Sequence, residues 1–166
     1  MTLLDAPTFD AARDRRNTAF LYSGVGLVIV LFICSWVVAG MPVDWPWRWW
    51  THFRARTTAN HFLTAVEQND MPKAYGIWIH DPEWKNHPQQ NVVYPFDRFQ
   101  QDWSPSSSAN EYGAIKGHKI VAARMSGNVL LMGIRINGLK SNALFLDYDP
   151  SMHTLGFSPV ELYLGP

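Results

Sequence analysis

Polar and apolar positions divide this chain into regions of different period. Between Arg16 and Asp44 lie 27 residues without a formal charge, positions 17–43, centred on the continuous apolar run 27–33. That pattern predicts a transmembrane helix: residues 18–41 as α-helix are about 36 Å long at 1.5 Å per residue, against a hydrocarbon core of about 30 Å. Pro42 predicts its end, because proline breaks the intrahelical hydrogen-bond ladder. From His52 the period becomes that of amphipathic helices. Phe53, Ala59, Phe62, Leu63 and Val66 share one face of a helix over 52–69, and Tyr75, Trp78 and Ile79 one face of a second over 72–79. Asp81-Pro82-Glu83 stops that helix, 85–91 reads as a polar loop, and Phe96, Phe99 and Trp103 align on a third helix over 95–103.

After the connector 104–110 the period becomes that of strands, over 116–125, 129–136, 141–148 and 153–158. The breaks are Ser126-Gly127-Asn128, Asn137-Gly138 and Asp149-Pro150-Ser151. Asn-Gly between apolar runs is a strong hairpin signal, since both central residues of a type I′ turn need positive φ. The expected fold is α+β: one N-terminal transmembrane helix, then about three helices packed on one face of a curved antiparallel sheet. The expected divisions are a cytoplasmic tail at 1–17, the span at 18–41, an interfacial collar at 42–52 and an extrinsic domain at 53–166. No internal repeat is visible.

Composition narrows the function. In 166 residues, 14 Lys and Arg balance 14 Asp and Glu, which removes the electrostatic case for nucleic acid. The single cysteine, Cys34, excludes an internal disulfide, a Cys-rich zinc site and covalent c-type haem. Five of the eight tryptophans, Trp36, Trp45, Trp47, Trp49 and Trp50, fall within 15 positions at the end of the apolar segment. An indole joins an apolar ring to one N–H donor, so these residues are expected to sit in the headgroup layer or to dock a partner there, with His52 beside them. A cleavable signal peptide is the rival reading, because Val38-Ala39-Gly40 offers small residues, but the apolar core is too long for one.

Arg15 and Arg16 abut the apolar run, whereas Arg54 and Arg56 lie about ten residues beyond it. This places the N-terminus inside and the C-terminal domain in the periplasm of a bacterial inner membrane. The span has no His, Asp, Glu, Lys or Arg, hence no strong axial ligand for haem or chlorophyll, and no cofactor is expected. Ser23, Gly24 and Gly26 form a small-residue face on which a helix, pigment or lipid could pack, although their spacing is not GxxxG and the ordinary glycines of a single span are the plainer reading. The apolar residues of 1–4 and Phe9 are expected to pack on a partner or on the membrane surface.

No catalytic or metal motif is complete. His80-Asp81-Pro82-Glu83 with His87 carries ligand types, but the spacing fits no established zinc pattern and reads as a solvated loop. His61, His118 and His153 belong to no pattern. Tyr75, Tyr94, Asp97, Asp102, Asp147 and Tyr148 include the residue types of an isomerase-like site without an Asp-Tyr-Asp constellation. Asp102 is expected to bond backbone N–H groups of the following loop, and Asp147 to end a strand. There is no nucleophile elbow, P-loop or GxGxxG, and the chain is not expected to be an enzyme.

A helix bearing Ala74-Tyr75-x-x-Trp78, another reading Tyr94-Pro95-Phe96-x-x-Phe99-x-x-Asp102-Trp103, and a sheet after them resemble the nuclear transport factor 2-like cone fold. Ketosteroid isomerase and the SnoaL-type cyclases share that fold, and the resemblance, over about 53–164, is particularly to small membrane-anchored bacterial proteins of this type. It implies a conical pocket against the sheet, here near Tyr75, Trp78, Tyr94, Phe99, Asp102 and Trp103, that is catalytic, ligand-binding or filled by side chains. The expected function is a non-catalytic accessory subunit of a bacterial membrane complex, respiratory or photosynthetic, with other subunits and the bilayer as partners. A membrane-tethered ligand-binding or isomerase-like domain and an assembly chaperone are the alternatives. An open pocket with an isolated carboxylate favours the ligand reading; one filled by Trp78, Phe99 and Trp103 favours the subunit.

Overall fold

A computed structural model of the chain describes residues 11–87, 93–138 and 143–164. The chain divides into two compact units, the first ending at Val38 and the second beginning at Ala39. The first contains α1 (Ala11–Val38), a helix of 28 residues none of which is buried. It is long and apolar enough to cross a membrane. Residues 11–17, expected in the tail, are its first turns, while residues 1–10, with the expected packing of 1–4 and Phe9, lie outside the described residues. The helix stops three residues before the expected Met41, because Gly40 and Met41 both adopt positive φ, +86° and +53°, and a left-handed pair cannot extend a right-handed helix.

The second unit is α+β. A one-turn 3₁₀ helix, Pro46–Arg48, leads into α2 (Trp49–Glu67), followed by α3 (Met71–Trp78), a second 3₁₀ turn, Trp84–Asn86, and α4 (Phe96–Trp103). β1 (His118–Ser126), β2 (Val129–Ile136), β3 (Ala143–Tyr148) and β4 (Leu155–Phe157) form an antiparallel meander in the order β1-β2-β3-β4. Asp70 caps α3 by accepting the Lys73 N–H at 3.2 Å, with Pro72 in the first turn where a missing N–H costs nothing. The β1–β2 turn has Gly127 at φ +59°, and Asn137 and Gly138 after β2 both have positive φ, but Arg135 lies opposite Ala143, so the β2–β3 connection is longer than the two-residue type I′ turn expected. Residues 139–142, including the expected first positions of the third strand, lie outside the described residues. The last strand is shorter than expected because His153, at φ +60°, belongs to the β3–β4 turn.

The buried face of α2 carries Ala55, Ala59, Phe62, Leu63 and Val66, and the facing side of the sheet carries Leu130, Met132, Ile134, Ile136, Leu144, Leu146 and Tyr148. The alternation along β3 is complete, every second residue being buried. β2 is nearly continuous in its burial, since Gly133 on its other side faces the Leu164 side chain and Arg135 Nη2 donates to the Leu164 carbonyl at 3.1 Å.

Candidate functional site

The expected pocket residues do come together, and they fill the space themselves. Tyr75, Trp78, Phe99 and Trp103 are each 5% exposed or less. Phe62 is their hub, with ring centroids 5.1 Å from Trp78, 6.1 Å from Phe99 and 4.9 Å from Trp103, and Phe157 of β4 closes the cluster at 5.5 Å from Trp103. The contacts of Phe62 are edge-on or tilted and that of Phe157 with Trp103 is stacked, arrangements common between aromatic rings in a packed core.

The polar members of the cluster are committed to one another. The Tyr75 hydroxyl donates to the Tyr94 carbonyl at 2.7 Å, and the Tyr94 hydroxyl donates to Asp102 Oδ2 at 2.9 Å. Arg98 Nε, one helical turn before Asp102 on α4, donates to the same carboxylate at 3.3 Å. Burial first, then the bond to Asp102, push the Tyr94 hydroxyl well above the ordinary tyrosine range, with the Trp103 indole and Arg98 opposing. Asp102 therefore serves the tyrosine and Arg98 rather than the backbone of the following loop, a correction to its expected role. An oxyanion donor must aim at the position of a reacting oxygen; the Tyr94 donor is instead held by a carboxylate.

The collar is divided by the fold. Trp45, Trp47 and Trp50 are exposed at 68%, 72% and 65%, with Trp45 and Trp47 stacked 5.1 Å apart at 6° and Trp50 stacked on Phe53 at 5.5 Å. Trp49 and His52, expected among the docking residues, are instead buried in the first turns of α2. Asp44 holds both: its carboxylate meets His52 Nε2 at 2.7 Å and its carbonyl accepts the Trp49 indole N–H at 2.9 Å. Trp36, Ser23, Gly24 and Gly26 lie in α1, and a Cβ at either glycine would meet nothing within 4 Å.

An open groove of about 960 Å³ runs outside the core, beside α2, α3 and the turn after them. Thr58 and His61 line it from α2, Lys73 and Ile77 from α3, and His80, Glu83, Trp84 and Lys85 from the following turns. Trp84 is fixed by its indole N–H donating to the Pro72 carbonyl at 3.1 Å, and Lys85 Nζ lies 5.7 Å over its ring. Gly76 lies where the chain turns back, and a Cβ there would stand 3.0 Å from the Asp81 carbonyl oxygen, a closer approach than side chains ordinarily make. The volume is that of a small-molecule cleft.

The loop residues considered for a metal are separated. His87 Nδ1 pairs with Asp81 Oδ2 at 2.9 Å, which lowers the Asp81 pKa, while the His80 ring turns to His153 at 5.2 Å. Among the described residues no group of three or more His, Cys, Asp or Glu is arranged to hold a metal ion. His118 bridges Glu67 Oε1 at 2.6 Å and Asn60 Oδ1 at 3.2 Å, tying the start of β1 to α2. The groove arises from how α2 packs beside α3 and the turns after it, which no spacing states, and the His80–His153 contact joins segments far apart in the chain. The one local signal is a histidine directly after an apolar helix and before Asp-Pro, in a position that favours glycine.

Searched against protein-family models, curated proteins and solved structures, the chain matches none of them.

Proposed function

We propose that this chain is a single-pass, membrane-anchored accessory subunit of a bacterial membrane complex, in which α1 anchors the chain and the α+β unit covers an extrinsic surface on the periplasmic side. The observation that carries the reading is the filled interior: where a cone-fold enzyme keeps an apolar cavity open to a catalytic carboxylate, Trp78, Phe99 and Trp103 occupy the space and Asp102 is held by Tyr94 and Arg98. The exposed indoles of Trp45, Trp47 and Trp50 support attachment at the membrane surface, since contiguous exposed aromatic area marks an interaction site. We take the α+β unit to be a nuclear transport factor 2-like cone, on its resemblance at Ala74-Tyr75-x-x-Trp78 and Tyr94-Pro95-Phe96-x-x-Phe99-x-x-Asp102-Trp103, and take the host of the subunit to be a respiratory or photosynthetic assembly.

A second reading, a membrane-tethered ligand-binding domain, is favoured by the groove between α2 and the turns after α3, which is large enough for a drug-sized molecule. Purification of the tagged full-length chain in mild detergent separates the two. Partner proteins retained at a fixed ratio support the subunit; a chain recovered alone, with a small molecule bound, supports the second reading.

A further inference from the structure

The guanidinium of Arg56, in the middle of α2, lies against the chain just beyond the end of the apolar helix. A Cβ on Gly40 would stand 2.7 Å from Arg56 Cζ and Nε and 2.9 Å from Nη1, so the guanidinium occupies the place of a side chain at that position. Gly40 also needs the freedom of glycine for its φ of +86°. The segment that carries it is held in place, since Ala39 and Pro42 on either side are buried. Arg56 Nη2 donates to the Ile120 carbonyl at 3.4 Å, where the register of β1 against β2 shifts between Ile120 and Ala122.

That long bond is the one hydrogen bond of Arg56 among the described residues, and no carboxylate there forms a salt bridge with it. A guanidinium carries five N–H donors. Nε and Nη1 thus have no protein acceptor, and neither is enclosed by the protein, although the residue is half-buried. Asp44, the one acid in 39–56, is committed to His52 at 2.7 Å, against three arginines, Arg48, Arg54 and Arg56. Residues 17–38 of α1 are about 33 Å long at 1.5 Å per residue, close to a hydrocarbon core of about 30 Å. Gly40 follows two residues later, within about 7 Å of the helix end, a distance comparable with the depth of the headgroup layer. Trp45, Trp47 and Trp50, between Gly40 and Arg56 in the chain, expose indoles that suit the same layer.

We propose that Arg56, seated on Gly40, binds the phosphate of an anionic phospholipid at the membrane surface. A guanidinium matches a pair of phosphate oxygens in shape and charge, and its weak hydration suits a half-buried place. The missing side chain at position 40 lets the cation reach the level of the headgroups, and the Ile120 carbonyl helps to hold it there. The excess of arginine over 39–56 favours an anionic lipid over a zwitterionic one. The site rests on α1 as a membrane anchor and not on the chain being a subunit of a larger assembly.

The test places the full-length chain in nanodiscs of phosphatidylcholine and phosphatidylglycerol in equal amounts, and native mass spectrometry reads the lipid that stays bound on release. The wild-type chain should retain phosphatidylglycerol in preference to phosphatidylcholine, and Arg56→Gln should weaken that preference about fivefold. Arg56→Lys, which keeps the charge, should retain more of the preference than Arg56→Gln. A chain that does not enter the discs overturns the anchor and the lipid site together. One that enters without preferring phosphatidylglycerol overturns the lipid site alone; this outcome is read on the wild-type chain and does not depend on the stability of a variant. A preference left intact by Arg56→Gln, with wild-type circular dichroism, overturns it as well. So does retention of inorganic phosphate in place of lipid, in discs of phosphatidylcholine with phosphate in the buffer.

Discussion

His52 Nε2 lies 2.7 Å from Asp44 Oδ2, and through this contact the segment following the apolar helix is joined to the first turns of α2. His52 is 1% exposed, so its ring nitrogen has little access to water if the carboxylate is removed. Asp44→Ala should therefore destabilise the domain by about 1–3 kcal/mol, the cost of leaving a buried polar group unpaired, and Asp44→Asn should cost less because an amide can still reach the ring. Urea unfolding of the full chain in micelles measures both.

The exposed part of the collar should behave oppositely. Replacing Trp45, Trp47 and Trp50 together by alanine removes no buried contact of the domain's core cluster, so the unfolding midpoint should change little, as is usual for surface substitutions. Attachment at membrane level should weaken. Brominated lipids in nanodiscs should quench the fluorescence of the wild-type chain and quench the triple variant distinctly less. Equal quenching would show that these indoles do not reach the lipid.

Phe99 and Trp103 discriminate a packed core from a ligand cavity. Both are almost fully buried and touch Phe62, so Phe99→Ala or Trp103→Ala should cost about 3–5 kcal/mol, the range for large aromatic truncations in close-packed interiors. A cavity lining would tolerate the change with a far smaller loss. Denaturant unfolding of the two variants decides between them.

Asp147 gives the fold a pH dependence of definite sign. Burial, and after it the charge of Asp149, raise its pKa above the ordinary carboxylate value, so the folded chain keeps this proton to higher pH than the unfolded chain does. The ionised group then weakens the fold above its folded pKa, and that penalty vanishes as the pH falls below the unfolded value of about 3.9. Asp147→Asn should raise Tm at pH 7 and leave it nearly unchanged at pH 3, as read by thermal unfolding at the two pH values.

Much of this architecture is legible in the residues because local pattern and tertiary environment agree. The 27 uncharged positions give α1, the three aromatic and aliphatic helix faces give α2 to α4, and Asn137-Gly138 gives a turn with two positive φ values. The end of α1 is less legible: Pro42 is visible in the sequence, but the left-handed backbone at Gly40 and Met41 stops the helix earlier. The collar reads as one tryptophan-rich unit, yet Trp49 is buried while its neighbours are exposed, because helical phase and the Asp44 carbonyl turn its indole inward. Tyr75, Trp78, Tyr94, Phe99, Asp102 and Trp103 are recognisable as neighbours. That they close their own cavity depends on packing volume, which no spacing encodes. His80 and His153 are harder still, since only the return of β4 beside α3 brings them into contact.

A subunit works only inside a larger assembly. Native membranes solubilised gently and run on a native gel, with the chain detected by antibody, test this most directly. The subunit reading predicts a band far heavier than the 19.0 kDa chain in its micelle, containing the same partner proteins at a fixed ratio in repeated preparations. A chain that migrates alone under those conditions would contradict it.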